Sequence, residues 1–247
     1  MITETRPDTS HAISHGTKLV NLVRNEGRLC LESAVDPSAG LLWVDFTDPG
    51  LTYRRRQALR HEALVKAVGG CRRSGKDAAF DNSLIDATAG LGQDAFILAC
   101  AGWHVTLIEQ SPQVHALLED GLQRALAISE QGTDELLRAA LLRMQLLAAV
   151  DSSERLQQLD PVAVIYLDPM FPEREKSARV KKNRFLLQQL HGPEARGEGL
   201  LEQALQRSRK VVVKRPRHAP VLDGCKPSAD ISGKACRFDI YAGRIGG

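Results

Sequence analysis

Four consecutive residues, Asp168, Pro169, Met170 and Phe171, have the chemistry to grip an amine. They close the apolar run VIYLDPMFP (164–172). Proline fixes its own φ and restricts the residue before it, so the Asp168 carboxylate and the Pro169 carbonyl can stand as two fixed acceptors. An exocyclic amino group brings two N–H donors to fill them. Holding both hydrogens draws the nitrogen toward a pyramid and exposes its lone pair, while Phe171 can stack on a flat base. This is orientation plus polarisation, and it suits in-line methyl transfer from a sulfonium. No strong base is needed first, because the proton leaves the alkylated nitrogen afterwards. A target inside a stacked nucleic acid would have to be unstacked. The competing reading of the same residues is a plain strand-ending turn with Phe171 in the core.

About eighty residues upstream lies DATAGLGQDAF (86–96). Gly90 and Gly92 let the backbone turn sharply and approach a ligand. Asp86 and Asp94 bracket that turn. GLGQDA also fits the dinucleotide pattern GxGxxA, so the glycines alone decide little. The acids add to them. A pyrophosphate favours bare helix amides, and the Asp94 carboxylate would repel it. A cationic cofactor such as S-adenosylmethionine is favoured instead. Glu109 ends the next strand, where a carboxylate can accept both ribose hydroxyl hydrogens. Asp151, Ser152 and Ser153 could reach the adenine. Asp and Ser also favour helix N-caps, and both roles can hold at once.

These residues need a scaffold that brings them together. From residue 83 strands and helices alternate. SLIDAT, HVTLIEQ, RMQLLAAV, PVAVIYLD and KVVVKR read as strands, and ACRFDIYAG as a last strand paired antiparallel. Helices follow Gly92 and Pro112, and another covers about 133–143. The alternation predicts an α/β fold with a mostly parallel sheet and helices on both faces. Ligands in such sheets sit beyond the carboxyl ends of the strands, where Gly90, Glu109, Asp151 and Asp168 all fall. Residues 1–75 read as a small N-terminal lobe and 76–247 as the main domain. Within the lobe, 41–46 reads as a strand, TDPG (47–50) as a turn, and 53–69 as one helix burying Leu59, Ala63, Leu64 and Ala67. Residues 72–82 read as a linker.

The 247 residues carry a net charge of +3, which permits a nucleic-acid partner without demanding one. Basic residues cluster at Arg54–Arg56, Lys176–Arg184 and Arg207–Arg217. Lys176, Lys181, Lys182, Arg184, Lys214 and Arg215 are the candidates for RNA phosphate contacts, with solvated faces as the alternative. Tyr53 and the three arginines after it could extend that surface. No run approaches the roughly 20 apolar residues that span a bilayer. The N-terminus lacks the apolar core of a secretory signal, so a cytoplasmic protein without a membrane partner is expected. The five cysteines have no CxxC spacing and no His/Cys/Asp cluster suits a metal, so neither a disulfide framework nor a metal site is expected.

DPMF resembles the (D/N)PP(Y/F) signature of amino-methyltransferases acting on nucleic-acid bases, with Met170 where the wider pattern has proline. More closely, DATAGLGQDAF, YLDPMFP, KSARVKK, VVVKRP and FDIYAG resemble the RsmJ family from about residue 41 onward. Those are bacterial small-subunit ribosomal RNA methyltransferases that make N2-methylguanosine from S-adenosylmethionine. The resemblance implies a class I methyltransferase domain, Rossmann-like with a seven-stranded sheet, plus a small N-terminal lobe. It places Gln93, Asp94, Glu109, Gln110, Ser152, Ser153 and Asp168 at the cofactor, so that Asp168 touches both cofactor site and amine. The expected activity is 16S rRNA (guanine-N2) methylation, on naked rRNA or the 30S particle. A DNA or RNA adenine amino-methyltransferase, a nicotinamide-dependent oxidoreductase and a non-catalytic RNA-binding factor are the alternatives.

Overall fold

The computed structural model describes residues 19–72, 80–169, 186–187, 190, 199–233 and 236–245. Its main sheet has seven strands: β4 (Ser83–Asp86), β5 (His104–Leu107), β6 (Met144–Leu146), β7 (Val162–Leu167), β8 (Ser208–Pro216), β9 (Ala229–Ser232) and β10 (Cys236–Ala242). They lie in the order β6-β5-β4-β7-β8-β10-β9. The pairs β4·β5, β5·β6, β4·β7 and β7·β8 are parallel, while β10 runs antiparallel to both β8 and β9.

Alternate residues of the central strands feed opposite faces. Leu84, Val164, Tyr166 and Val212 enter one apolar cluster, and Ile85, Ile165, Leu167, Val211 and Val213 enter the other. Both faces are therefore dry, which is why β7 reads as a continuous apolar run. On the first face lie α3 (Gln93–Cys100), α4 (Pro112–Gln131) and α5 (Glu135–Leu141). On the second lie α6 (Ser152–Gln158) and α7 (Leu200–Arg207). Pro112 begins α4 and Ser111 caps it, accepting the Val114 N–H at 3.4 Å.

A second, three-stranded sheet pairs β1 (Val20–Asn25), β2 (Arg28–Ser33) and β3 (Leu41–Leu42). The β1–β2 hairpin turns on Glu26 and Gly27, both at positive φ, as a two-residue primed turn requires. This sheet packs on the main domain: Leu31, Leu42 and Phe46 share the cluster of Phe96, Leu117 and Leu118. Gly121 of α4 permits the approach, since a Cβ there would stand 2.5 Å from Val44 Cγ1.

The N-terminal segment departs from the sequence reading in three places. Only Leu41–Leu42 of the expected strand pairs, because the Val44 carbonyl instead accepts from Arg124 at 2.6 Å. The expected turn at 47–50 is a helix start: Asp48 caps α1 (Pro49–Arg56), accepting the Gly50 and Leu51 amides. The single helix over 53–69 breaks into α1, a 3₁₀ turn (Leu59–His61) and α2 (Ala63–Val68). Gln57 is extended at the break, and Glu62 folds back onto Arg54 with bonds of 2.8 and 2.9 Å.

Candidate active site

A cavity of about 580 Å³ opens beyond the carboxyl ends of β4, β5, β7 and β8. It lies where strand order reverses about β4, the expected ligand position in an open α/β sheet. Asp86, Gly90, Gln93, Asp94, Glu109, Gln110, Asp151, Ser152, Ser153, Asp168 and Pro169 all line it.

Local hydrogen bonds fix its floor. The Thr88 N–H donates to Asp86 Oδ1 at 3.1 Å, and the Asp168 N–H donates to Thr88 Oγ1 at 2.6 Å. The turn after β4 is thereby tied to the end of β7. Gly90 adopts φ 53°, and its N–H donates to Glu109 Oε2 at 2.8 Å. Glu109 Oε1 accepts the Ser111 N–H, also at 2.8 Å. Each carboxylate oxygen keeps a second lone pair that a ribose hydroxyl can use. Ser152 Oγ donates to the Ala87 carbonyl at 2.5 Å, and Asp151 caps α6 through the Ser153 and Glu154 amides. Residues 151–153 thus cap a helix and face the cavity together.

Gly92 is a correction to the sequence reading, for it faces the core. A Cβ on it would meet Leu118 Cδ1 at 2.7 Å and Phe46 Cζ at 3.2 Å. Its φ of 71° and this packing explain the glycine.

A charged network spans the opposite wall. Asp94 Oδ2 accepts from the Tyr166 hydroxyl at 2.8 Å and from Lys214 Nζ at 2.7 Å, and Oδ1 accepts from Arg54 at 3.1 Å. Lys214 also reaches Asp168 Oδ2 at 2.8 Å. Burial would raise the Asp94 pKa, but Lys214 and Arg54 outweigh it and hold the carboxyl well below its ordinary range. Burial would lower the Lys214 pKa, and Asp94 with Asp168 instead raises it. At Asp86 the pull of Lys214 is weaker and is outweighed. Burial, with Asp94 and Asp168 nearby, pushes it up to about 8, so it is mostly protonated at neutral pH.

The structure corrects four expectations here. Lys214 lines the cavity and is committed to two acids, so it is not placed for RNA phosphates. Arg215 points to the other face of β8, is only 2% exposed, and donates through Nε to the Pro220 carbonyl at 2.9 Å. Asp94 is neutralised by two cations, so its charge alone does not repel a phosphate. Arg54 and Arg55, read as surface arginines, pair with Asp94 and Glu62, and with Asp134. Tyr166, Thr88 and Lys214 were the site residues missed as such. Met170, Phe171, Lys176, Lys181, Lys182 and Arg184 lie outside the described residues.

The Asp168 side chain is 39% exposed beside the buried ring of Pro169, at the mouth of the same cavity. Among the described residues no three His, Cys, Asp or Glu side chains could hold a metal, and no helix is long and apolar enough to cross a membrane. The lining fits S-adenosylmethionine: Glu109 for the ribose diol, the apolar Ile108, Leu187 and Leu200 for the flat adenine, and polar groups at Gln93, Asp94 and Asp168 for the tail.

Dinucleotide-binding sheets run 3-2-1-4-5-6. Here an antiparallel strand is wedged between the fifth and sixth, and with the acid-rimmed cavity this defines a class I S-adenosylmethionine-dependent methyltransferase. Residues 9–243 match a family model described as "Putative SAM-dependent methyltransferase". A crystal structure of a SAM-dependent methyltransferase from Neisseria gonorrhoeae superposes with a TM-score of 0.68 at 29% identity, covering 96% of this chain and 87% of that one. Ribosomal RNA small subunit methyltransferase J of Shewanella amazonensis is 43% identical over 223 residues, 90% of this chain and 86% of the relative. The protein of the same name from Cellvibrio japonicus is 44% identical over 225 residues, 89% of this chain and 82% of the relative. The chain belongs to the ribosomal RNA small subunit methyltransferase J family. Sheet order and family together set aside the nicotinamide reading of GLGQDA.

Proposed function

We propose that this enzyme methylates the exocyclic N2 amine of a guanosine in small-subunit (16S) ribosomal RNA. The observation that carries the reading is Asp168 with Pro169 at the mouth of the cofactor cavity. The Asp168 backbone is held by Thr88 and its side chain by Lys214. Its carboxylate and the Pro169 carbonyl accept the two N–H groups of the amine and turn the nitrogen lone pair toward the cavity. When bound, S-adenosylmethionine would supply an electrophilic methyl on a sulfonium, the carbon–sulfur bond giving way to the new carbon–nitrogen bond and releasing a neutral thioether. The half-exposed Asp168 carboxylate then passes the surplus proton from the methylated nitrogen to solvent. The names of the relatives support a small-subunit rRNA substrate.

Lys176, Lys181, Lys182 and Arg184 follow the catalytic tetrad closely in sequence and are the proposed phosphate contacts. Residues 1–75 are the proposed accessory lobe of a methyltransferase domain over 76–247. The proposed compartment is the cytoplasm, where the ribosomal substrate is made.

The test incubates the chain and its Asp168→Ala variant with methyl-labelled cofactor and either naked 16S rRNA or 30S particles, then digests and maps the label. Labelled N2-methylguanosine is expected from the unmodified chain, with transfer reduced about 1,000-fold or more in the variant. Label on an adenine amine overturns the choice of base. No label on either RNA overturns the function.

A further inference from the structure

Three elements meet on one nitrogen. Asp94 stands in the first turn of α3, Asp168 follows β7, and Lys214 lies near the end of β8. The Lys214 ammonium is 2.7 Å from Asp94 Oδ2 and 2.8 Å from Asp168 Oδ2. We propose that Lys214 is a positioning residue for methyl transfer: by bridging Asp94 and Asp168 it fixes the Asp168 carboxylate relative to the cofactor turn. The proposal rests on the amine-gripping role of Asp168.

Each end of the bridge is anchored. Asp94 is held by Arg54 and by the buried Tyr166 hydroxyl, and Arg54 is held in turn by Glu62. Asp168 is held at its backbone by Thr88. Between them an ammonium offers three donors and no acceptor, so it can only gather carboxylate oxygens. Its two acid partners keep it charged, which excludes service as a proton acceptor. Misplacing a reacting group by about 1 Å can cost about 100-fold in rate, so a fixed carboxylate is worth more to turnover than to stability.

The plainer account makes Lys214 a counter-ion for Asp94 alone. That account leaves the second bond unexplained. Asp168 is half-exposed and can be hydrated, so it does not need an internal cation to remain in the fold. A counter-ion role predicts lost stability and lost cofactor affinity together. Positioning predicts lost turnover at nearly constant cofactor affinity.

The test compares the unmodified chain with Lys214→Ala and Lys214→Arg. It measures single-turnover methyl transfer at saturating RNA and cofactor, and S-adenosylhomocysteine binding by calorimetry. For Lys214→Ala the rate is expected to fall about 100-fold or more while the dissociation constant changes by less than about five-fold. Added ethylammonium is expected to restore the rate about ten-fold or more where ethanol does not, and Lys214→Arg to outperform Lys214→Ala. Rate and affinity falling by the same factor, a rate within about three-fold of the unmodified chain, or equal rescue by amine and alcohol each overturns the proposal. A measurement on the unmodified chain needs no variant to fold. With ¹⁵N-labelled lysine, the Lys214 ammonium is expected to give slowly exchanging correlations at neutral pH, and exchange as fast as at an exposed lysine overturns the bridge. If the unmodified chain methylates no rRNA, the proposed function fails, while the binding and exchange measurements still report on the bridge.

Discussion

Glu109 reaches across from the end of β5 to accept the Gly90 N–H at 2.8 Å, closing a turn 19 residues earlier in the chain. The acid that would hold a ribose therefore also shapes the loop over which the cofactor lies. Its other oxygen takes the Ser111 N–H, so neither oxygen is spare as a scaffold atom.

Replacing Glu109 by Gln sets an NH₂ against one of those amides whichever way the side chain turns. Because these bonds go to a charged group, the loss is about 1.5–3 kcal/mol of stability. S-adenosylhomocysteine affinity is expected to fall about ten-fold or more. Urea unfolding and calorimetry check the two quantities separately, and unchanged affinity would remove Glu109 from the cofactor site.

The two glycines of the turn separate in the same assays. Gly92→Ala forces a methyl against Leu118 and Phe46 at positive φ. The expected cost is about 2–4 kcal/mol in stability, with little change in cofactor affinity of the folded protein. A Cβ at Gly90 meets nothing closer than the Thr88 carbonyl at 3.8 Å, so Gly90→Ala costs about 1–2 kcal/mol of strain. Gly90 lines the cavity, and its variant is expected to lose affinity as well.

That contrast shows what the sequence could convey. Acids and glycines at strand ends were legible because an open α/β sheet gathers strand ends, and β7 and β8 announce themselves as apolar runs. Gly90 and Gly92 look alike in the chain, and only the tertiary approach of Leu118 from α4 and Phe46 from the N-terminal segment makes one of them a packing residue. Lys214 and Arg215 look like one basic patch. Strand parity sends them to opposite faces, but which face is the site follows only from the register of Tyr166 against Val212 and Leu167 against Val213. The β1–β2 hairpin escaped because β1 buries only Val20 and shows no alternation.

Asp86 gives the protein a testable pH signature. Its folded pKa of about 8 lies above the unfolded value near 3.9, so the folded state keeps a proton that the unfolded state has released. Stability from this group is complete below the unfolded pKa and declines as pH rises toward about 8. Asp94 runs the other way: its lowered pKa gives stability above the ordinary carboxylate range that fades on acidification. Asp86→Asn keeps an oxygen for the Thr88 N–H and removes the titration. Relative to the unmodified chain, it is expected to gain a few kcal/mol between about pH 5 and 8. Urea midpoints across that window check this, and a constant difference between the two proteins would contradict it.

The place of β10 has a consequence for synthesis. Strand β8, with Val211, Val212 and Val213 in a row, leaves the ribosome before its outer neighbour exists. Until residues 236–242 arrive, that flank is a bare, β-branched edge open to any other extended chain. A nascent or clipped polypeptide stopping short of β10 is thus an aggregation hazard, and the same late strand that completes the sheet also silences its stickiest border.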